Sequence, residues 1–140
     1  MRVVLDTNVL IAALLTKGKA HRLVRHFGLE EEAFDILSSK EQIAELKRVL
    51  REKFPGVLSR AEVGTFINHF REVAVMVKPQ SGVKHSPDPD DNIILGIALA
   101  GEANYLVTGD KDDLLKLKKM AGTKIIGLSS FLKLVSRYGR

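Results

Sequence analysis

Two hydrophobic patterns alternate along the chain. Short apolar, largely β-branched runs occur at Arg2-Val3-Val4-Leu5, Phe34-Asp35-Ile36-Leu37, Val73-Ala74-Val75-Met76-Val77, Tyr105-Leu106-Val107 and Lys124-Ile125-Ile126, each of strand length. Between them, longer segments carry apolar residues at helical spacing. These are residues 9–27, split into two helices near Lys17-Gly18-Lys19, then 39–53, 60–71, 90–100, a short stretch near 112–118, and 129–138. Strands that are apolar throughout are covered on both faces, and their alternation with helices indicates a parallel sheet. The pattern predicts an α/β fold, a three-layer α/β/α sandwich with a central parallel sheet. Residues 79–89 are the one extended loop candidate. No repeat, low-complexity tract or linker divides the chain, which reads as a single domain over residues 1–140.

In open parallel sheets the ligand site lies beyond the carboxyl ends of the strands, near the point where strand order reverses. Asp6 follows the first run directly, Ser38 and Ser39 follow the second, and Thr108-Gly109-Asp110 follows the fourth. Asp6-Thr7-Asn8 opens a helix, where one such residue suffices as a cap worth about 0.5–2 kcal/mol. Here three polar residues come together. Glu45 lies on a helix opened by Ser39 with Gln42 three residues on, a capping-box pattern. Ile43, Leu46, Val49 and Leu50 form that helix's apolar stripe and leave Glu45 on its border, free to face water or the rim of the sheet.

In Ser86-Pro87-Asp88-Pro89-Asp90-Asp91-Asn92, Asp88 suits the cap and Pro89 the first helical position, while acids in the first turn complement the helix dipole. Asp91 heads a stripe of Ile94, Leu95 and Ala98; Asp90 heads one of Ile93, Ile94 and Ile97, so periodicity does not choose between them. In Thr108-Gly109-Asp110-Lys111-Asp112-Asp113 the glycine marks a turn, Asp110 is best placed for the sheet edge, and Asp112 or Asp113 can start the next short helix.

Twenty-two Lys and Arg against seventeen Asp and Glu give a net charge of +5, which favours polyanionic partners through phosphate neutralisation. Against this basic whole, the local concentrations of acid stand out. Four acids aimed at one edge repel each other and resist ionisation unless a cation neutralises them. All-oxygen ligation suits Mg²⁺ or Mn²⁺, and such sites can activate water and stabilise both oxygens of a phosphodiester displacement. The absence of cysteine excludes disulfides, thiolate-zinc sites and cysteine nucleophiles, and fits a reducing cytoplasm. The apolar run over residues 3–15 is interrupted by Asp6-Thr7-Asn8 and is too short and polar to cross a bilayer; no secretory signal is visible, and a soluble cytoplasmic protein is expected. His21, His26, His69 and His85 show no ligand spacing.

In order and spacing together, Val4-Leu5-Asp6-Thr7-Asn8-Val9-Leu10, Ser38-Ser39 with Ala44-Glu45-Leu46-Lys47-Arg48-Val49-Leu50, Asp88-Pro89-Asp90-Asp91-Asn92 and Leu106-Val107-Thr108-Gly109-Asp110-Lys111-Asp112 resemble the PIN domains. The likeness is strongest to the VapC-like ribonuclease toxins of bacterial and archaeal toxin–antitoxin systems, and covers almost the entire chain. The resemblance implies a PIN fold and a Mg²⁺ or Mn²⁺ site formed by Asp6, Glu45, Asp91 and Asp110. It favours Asp91 over Asp90, leaves Asp112 as an alternative fourth acid, and gives Asn8 and Thr108 the role of orienting acids or waters. It further implies a metal-dependent endoribonuclease that leaves 5′-phosphate and 3′-hydroxyl ends on RNA, acts as the toxin beside an antitoxin protein, and forms a homodimer. Lys17, Lys19, Arg22, Lys47, Arg48 and Lys111 lie near these segments and are candidates for a basic RNA-steering rim. Two competing readings are a degenerate PIN module that binds RNA or a partner without cutting, and a Mg²⁺-dependent phosphatase that forms an aspartyl-phosphate on Asp6. Asn8 counts against the phosphatase, because it occupies the position two residues on where such enzymes usually carry a second acid.

Overall fold

In a computed structural model, which describes residues 1–138, the elements run β1 (Arg2–Leu5), α1 (Thr7–Leu15), α2 (Lys19–His21), a π-helical segment (Arg22–Glu30), β2 (Asp35–Ser38), α3 (Lys40–Lys53), α4 (Arg60–Val73), β3 (Val75–Met76), α5 (Pro89–Ala100), β4 (Tyr105–Thr108), a 3₁₀ segment (Asp113–Leu117), β5 (Lys119–Met120), β6 (Thr123–Gly127) and α6 (Leu128–Tyr138). All five expected apolar runs contribute strands. The break near Gly18 falls where the spacing put it, but α2 winds on as a π-helix from Arg22. The third run yields just two strand residues, because Val73 completes α4 and Val75 and Met76 lie half-exposed at the sheet edge. Such a short edge strand offers little backbone for unwanted pairing.

The sheet order is β3-β2-β1-β4-β6-β5. Neighbours pair in parallel except β5 with β6, so the sheet is mixed and mostly parallel, with helices on both faces. The added antiparallel strand is a two-residue hairpin arm, too short to leave a hydrophobic pattern in sequence.

The strand pleat divides the core in two. Val3 and Leu5 of β1, Ile36 of β2 and Val107 of β4 pack with α1, α3, α4 and α6 on one face. Val4, Leu37, Leu106 and Ile125 point to the other face and meet Ile94, Leu95, Ile97 and Ala98 of α5. This period-2 division of continuously apolar strands is what a two-sided sheet requires. Gly96 lets the extended loop lie against α5: a Cβ there would stand 2.7 Å from the Gln80 carbonyl oxygen, and Gln80 N–H donates to the Gly96 carbonyl at 3.0 Å. Among the described residues no helix is long and apolar enough to cross a membrane.

From β1 the chain moves outward to β2 and β3, then returns to place β4 on β1's other side. Strand order therefore reverses between β1 and β4, and the carboxyl ends of these two strands flank the crevice where a ligand is expected.

Candidate active site

Asp6 stands at that switch point. Its backbone N–H donates to the Val107 carbonyl at 2.8 Å, which ties the end of β1 to β4, and its backbone already departs from helical geometry as the N-cap of α1. The cap bond itself is long, 3.4 Å from Asn8 N–H to Oδ1. A shorter bond of 2.7 Å comes to Oδ2 from the Thr108 hydroxyl. Asp6 is buried and Thr108 fully so. Burial pushes the Asp6 carboxyl up to about 6; the Thr108 bond opposes this, while the carboxylates of Asp112 and Asp91 add to it. A cap at a helix N-terminus favours the charged carboxylate, so capping does not account for an Asp6 carboxyl raised by burial.

Glu45 comes to the same crevice from α3. Thr7, the first residue of α1, donates its hydroxyl to Glu45 Oε1. Burial raises the Glu45 carboxyl to about 7, against the lowering effect of Thr7. Asp90 and then Asp6 raise it further.

The resemblance favoured Asp91 over Asp90, and the geometry gives each a separate surrounding. Asp91 Oδ2 accepts from Ser86 Oγ at 3.1 Å. Its pKa is raised, first by burial and then by Asp88, Asp112 and Asp90, with the Ser86 bond opposing. Asp90 lies against Glu45 and pairs with Arg48, Nη2 to Oδ2 3.0 Å. Asp88 and Pro89 take the cap and first-turn positions expected of them, with Asp90 N–H donating to Asp88 Oδ1 at 2.9 Å. Asn92 fastens the loop to this helix: its Oδ1 accepts from His85 N–H at 3.1 Å and Ser86 N–H at 2.9 Å, and its Nδ2 donates to the Ser86 carbonyl at 2.7 Å.

Asp110 and Asp112 part company. Asp110 is exposed and held at the start of α6, accepting from Ser129 N–H at 2.8 Å and Ser129 Oγ at 2.5 Å. These bonds, with Lys19 nearby, hold its carboxyl below the usual range despite a small opposing effect of burial. Asp112 raises both Asp6 and Asp91, so its charge lies with the crevice acids. Asp6, Glu45, Asp91 and Asp112 thus influence one another through charge, Asp90 acts on Glu45, and Asp110 is held by Ser129.

Thr108 reaches Asp6 through its hydroxyl. Asn8 does so through its backbone alone; its side chain is exposed and bonds none of the acids among the described residues. Sequence reasoning passed over Gln42 as a cap partner. Ser39 does cap α3, accepting from Gln42 N–H at 3.1 Å, but the Gln42 amide does not close a capping box. It instead donates to the Leu5 carbonyl at 2.6 Å and accepts from the Ser38 hydroxyl at 2.5 Å. Of the basic-rim candidates, Arg48 is paired with Asp90 and Glu52, and Lys19 donates to Ser129 Oγ at 2.8 Å; Lys17, Arg22, Lys47 and Lys111 remain exposed.

The donor chemistry fits a hard divalent cation: several carboxylates, no sulfur, and burial that makes their charge costly without a counter-ion. The spacing does not yet close on one, since among the described residues no three acidic or histidine groups form a set that could hold an ion. The fit is one of donor type.

Residues 2–112 match the family model described as PIN domain, a span that takes in every acid of the crevice. No curated protein matches the chain.

Proposed function

The chain belongs to the PIN domain family, and from that membership we propose that it is a divalent-metal-dependent endoribonuclease. PIN domains are generally nucleases. The observation that carries the reading is the buried Asp6 at the β1–β4 switch point, which shares its crevice with Glu45, Asp91 and Asp112 in a chain of net charge +5.

In this reading Asp6, Glu45 and Asp91 hold Mg²⁺ or Mn²⁺, and Asp112 is the fourth acid in preference to Asp110. The ion would supply charge neutralisation at the scissile phosphate and a more acidic water. Thr108 keeps one Asp6 oxygen in place, and Thr7 does the same for Glu45. Lys17, Lys47 and Lys111 are exposed cations suited to backbone phosphates on either side. The likeness of its motifs to VapC-like toxins extends the proposal to the toxin half of a toxin–antitoxin pair, with a small antitoxin protein as partner and a homodimer as the assembled form.

The test is incubation of the purified protein with labelled RNA and Mn²⁺ or Mg²⁺, beside an Asp6→Asn variant and a chelated control. Cleavage that needs metal and Asp6 supports the proposal; equal cleavage by the variant overturns the site. The open spacing of the acids favours a second reading, a PIN module that binds RNA or a partner without cutting. Binding of RNA with no cleavage in either metal would select it. Release of phosphate from small esters, with RNA intact, would select the phosphatase.

A further inference from the structure

We propose that Gln42 is a positioning residue, setting the direction of a hydrogen-bond chain that ends on Glu45 and holds its carboxyl in the crevice. The proposal rests on the metal-site reading above for the use made of that orientation, while the chain itself stands on the geometry.

Four elements meet at Gln42. Ser38 ends β2, Leu5 ends β1, Thr7 begins α1, and Gln42 and Glu45 lie three residues apart on α3. Ser38, Gln42 and Thr7 are all buried, so each polar atom needs a partner within the protein. The Leu5 carbonyl can only accept. The Gln42 amide nitrogen must therefore face it, at 2.6 Å, and the amide oxygen must face Ser38, whose hydroxyl donates at 2.5 Å. The same amide nitrogen lies 3.4 Å from Thr7 Oγ1. A threonine hydroxyl has one hydrogen. With its lone pair turned to Gln42, Thr7 spends that hydrogen on Glu45 Oε1.

The polarity of every bond thus follows from one carbonyl at the end of β1, and runs from the sheet through Gln42 and Thr7 to the Glu45 carboxyl. A buried amide is costly unless its bonds are used, and an apolar residue would fill the same space on α3 beside Ile43 and Leu46. The amide does what such a residue could not, which is to present Thr7 as a donor to Glu45.

The test uses Gln42→Met, which keeps length and volume but has no amide, together with Thr7→Val, Thr7→Ser and the double variant Thr7→Val/Gln42→Met. In metal-free protein, the Glu45 side-chain carboxyl ¹³C resonance should move alike in Gln42→Met and Thr7→Val and stay near the parent in Thr7→Ser. Mn²⁺ affinity should fall about tenfold in either single variant, the size expected for an outer partner of a metal ligand, and no further in the double variant, because both act through one chain. A folded Gln42→Met with an unmoved Glu45 resonance overturns the proposal, as do losses that multiply in the double variant. Should Gln42→Met fail to fold, an unmoved resonance in Thr7→Val overturns it equally. A parent protein that binds no Mn²⁺ sinks the metal reading instead, and the metal-free resonance still decides the hydrogen-bond chain.

Discussion

The Thr108 hydroxyl donates to Asp6 Oδ2 across 2.7 Å, joining the last residue of β4 to the first residue beyond β1. Both residues are buried, so this bond is one of few means by which the Asp6 charge is tolerated without a cation.

Thr108→Val should therefore push the Asp6 carboxyl still higher and destabilise the protein where Asp6 is ionised. Losing a buried hydrogen bond to a charged group costs about 1.5–3 kcal/mol. Urea unfolding in chelator at about pH 8 should show a loss of that order, shrinking toward about pH 4 as Asp6 takes up its proton. Thr108→Ser, which keeps the hydroxyl, should stay close to the parent. An undiminished loss at the lower pH would mean that packing of the methyl group, and not the bond to Asp6, is at stake.

The fourth acid can be identified by comparing Asp112→Asn with Asp110→Asn. Asp112 caps the 3₁₀ segment, accepting from Leu114 N–H at 3.2 Å, and its charge raises Asp6 and Asp91, whereas Asp110 is engaged by Ser129. Asp112→Asn should weaken Mn²⁺ binding and RNA cleavage severalfold while leaving the melting temperature unchanged or raised. Asp110→Asn should lower the melting temperature, as should Ser129→Ala, with the effect lost in acid: a depressed carboxyl contributes stability above the ordinary carboxyl range that disappears as pH falls. The reverse pattern would return Asp110 to the site.

How far the sequence led depended on whether a feature is local. The apolar runs of β1, β2, β4 and β6 and the caps at Ser39 and Asp88 are local, and their positions could be read directly. Residues Asp90 and Asp91 could not be separated by pattern, because α5 is apolar over a wide arc; tertiary neighbours separate them, Arg48 and Glu45 for one and Ser86 for the other. Gln42 resembled a cap partner because its spacing from Ser39 is right, but the Leu5 carbonyl, 37 residues earlier in the chain, claims its amide. Asp110 and Asp112 differ by which of them meets Ser129, 19 residues beyond Asp110. For Asp90, Gln42 and Asp110 the deciding contact comes from a distant segment, while Ser86 lies five residues before Asp91.

Gly96→Ala tests whether the extended loop is part of the site. The added Cβ would meet the Gln80 carbonyl oxygen at 2.7 Å, and this is backbone that cannot swing away as a side chain would. The loop must lift, and it carries Ser86, the partner of Asp91. Overpacking of this kind costs about 1–3 kcal/mol. Limited proteolysis should cut residues 79–89 faster in the variant, and Mn²⁺ affinity should fall with it. Faster proteolysis with unchanged affinity would place the loop outside the site.

The acids of the crevice also fix how stability should vary with pH. Asp6 rises from 3.8 to about 6 and Glu45 from 4.5 to about 7. Because these values are raised on folding, the folded chain keeps protons that the unfolded chain has already released, and stability falls as pH climbs through this window. For Asp6 the rise is equivalent to about 3 kcal/mol. In chelator, the melting temperature should decline between about pH 4 and pH 7, and Asp6→Asn should flatten the decline by removing the costly charge. Millimolar Mg²⁺ should recover stability at about pH 8, where the carboxylates are free to bind it, and do little near pH 4. Asp6→Asn should abolish that recovery. A metal-free melting temperature that holds level across this range would show that the crevice accommodates its charges unaided, removing the physical reason for a cation there.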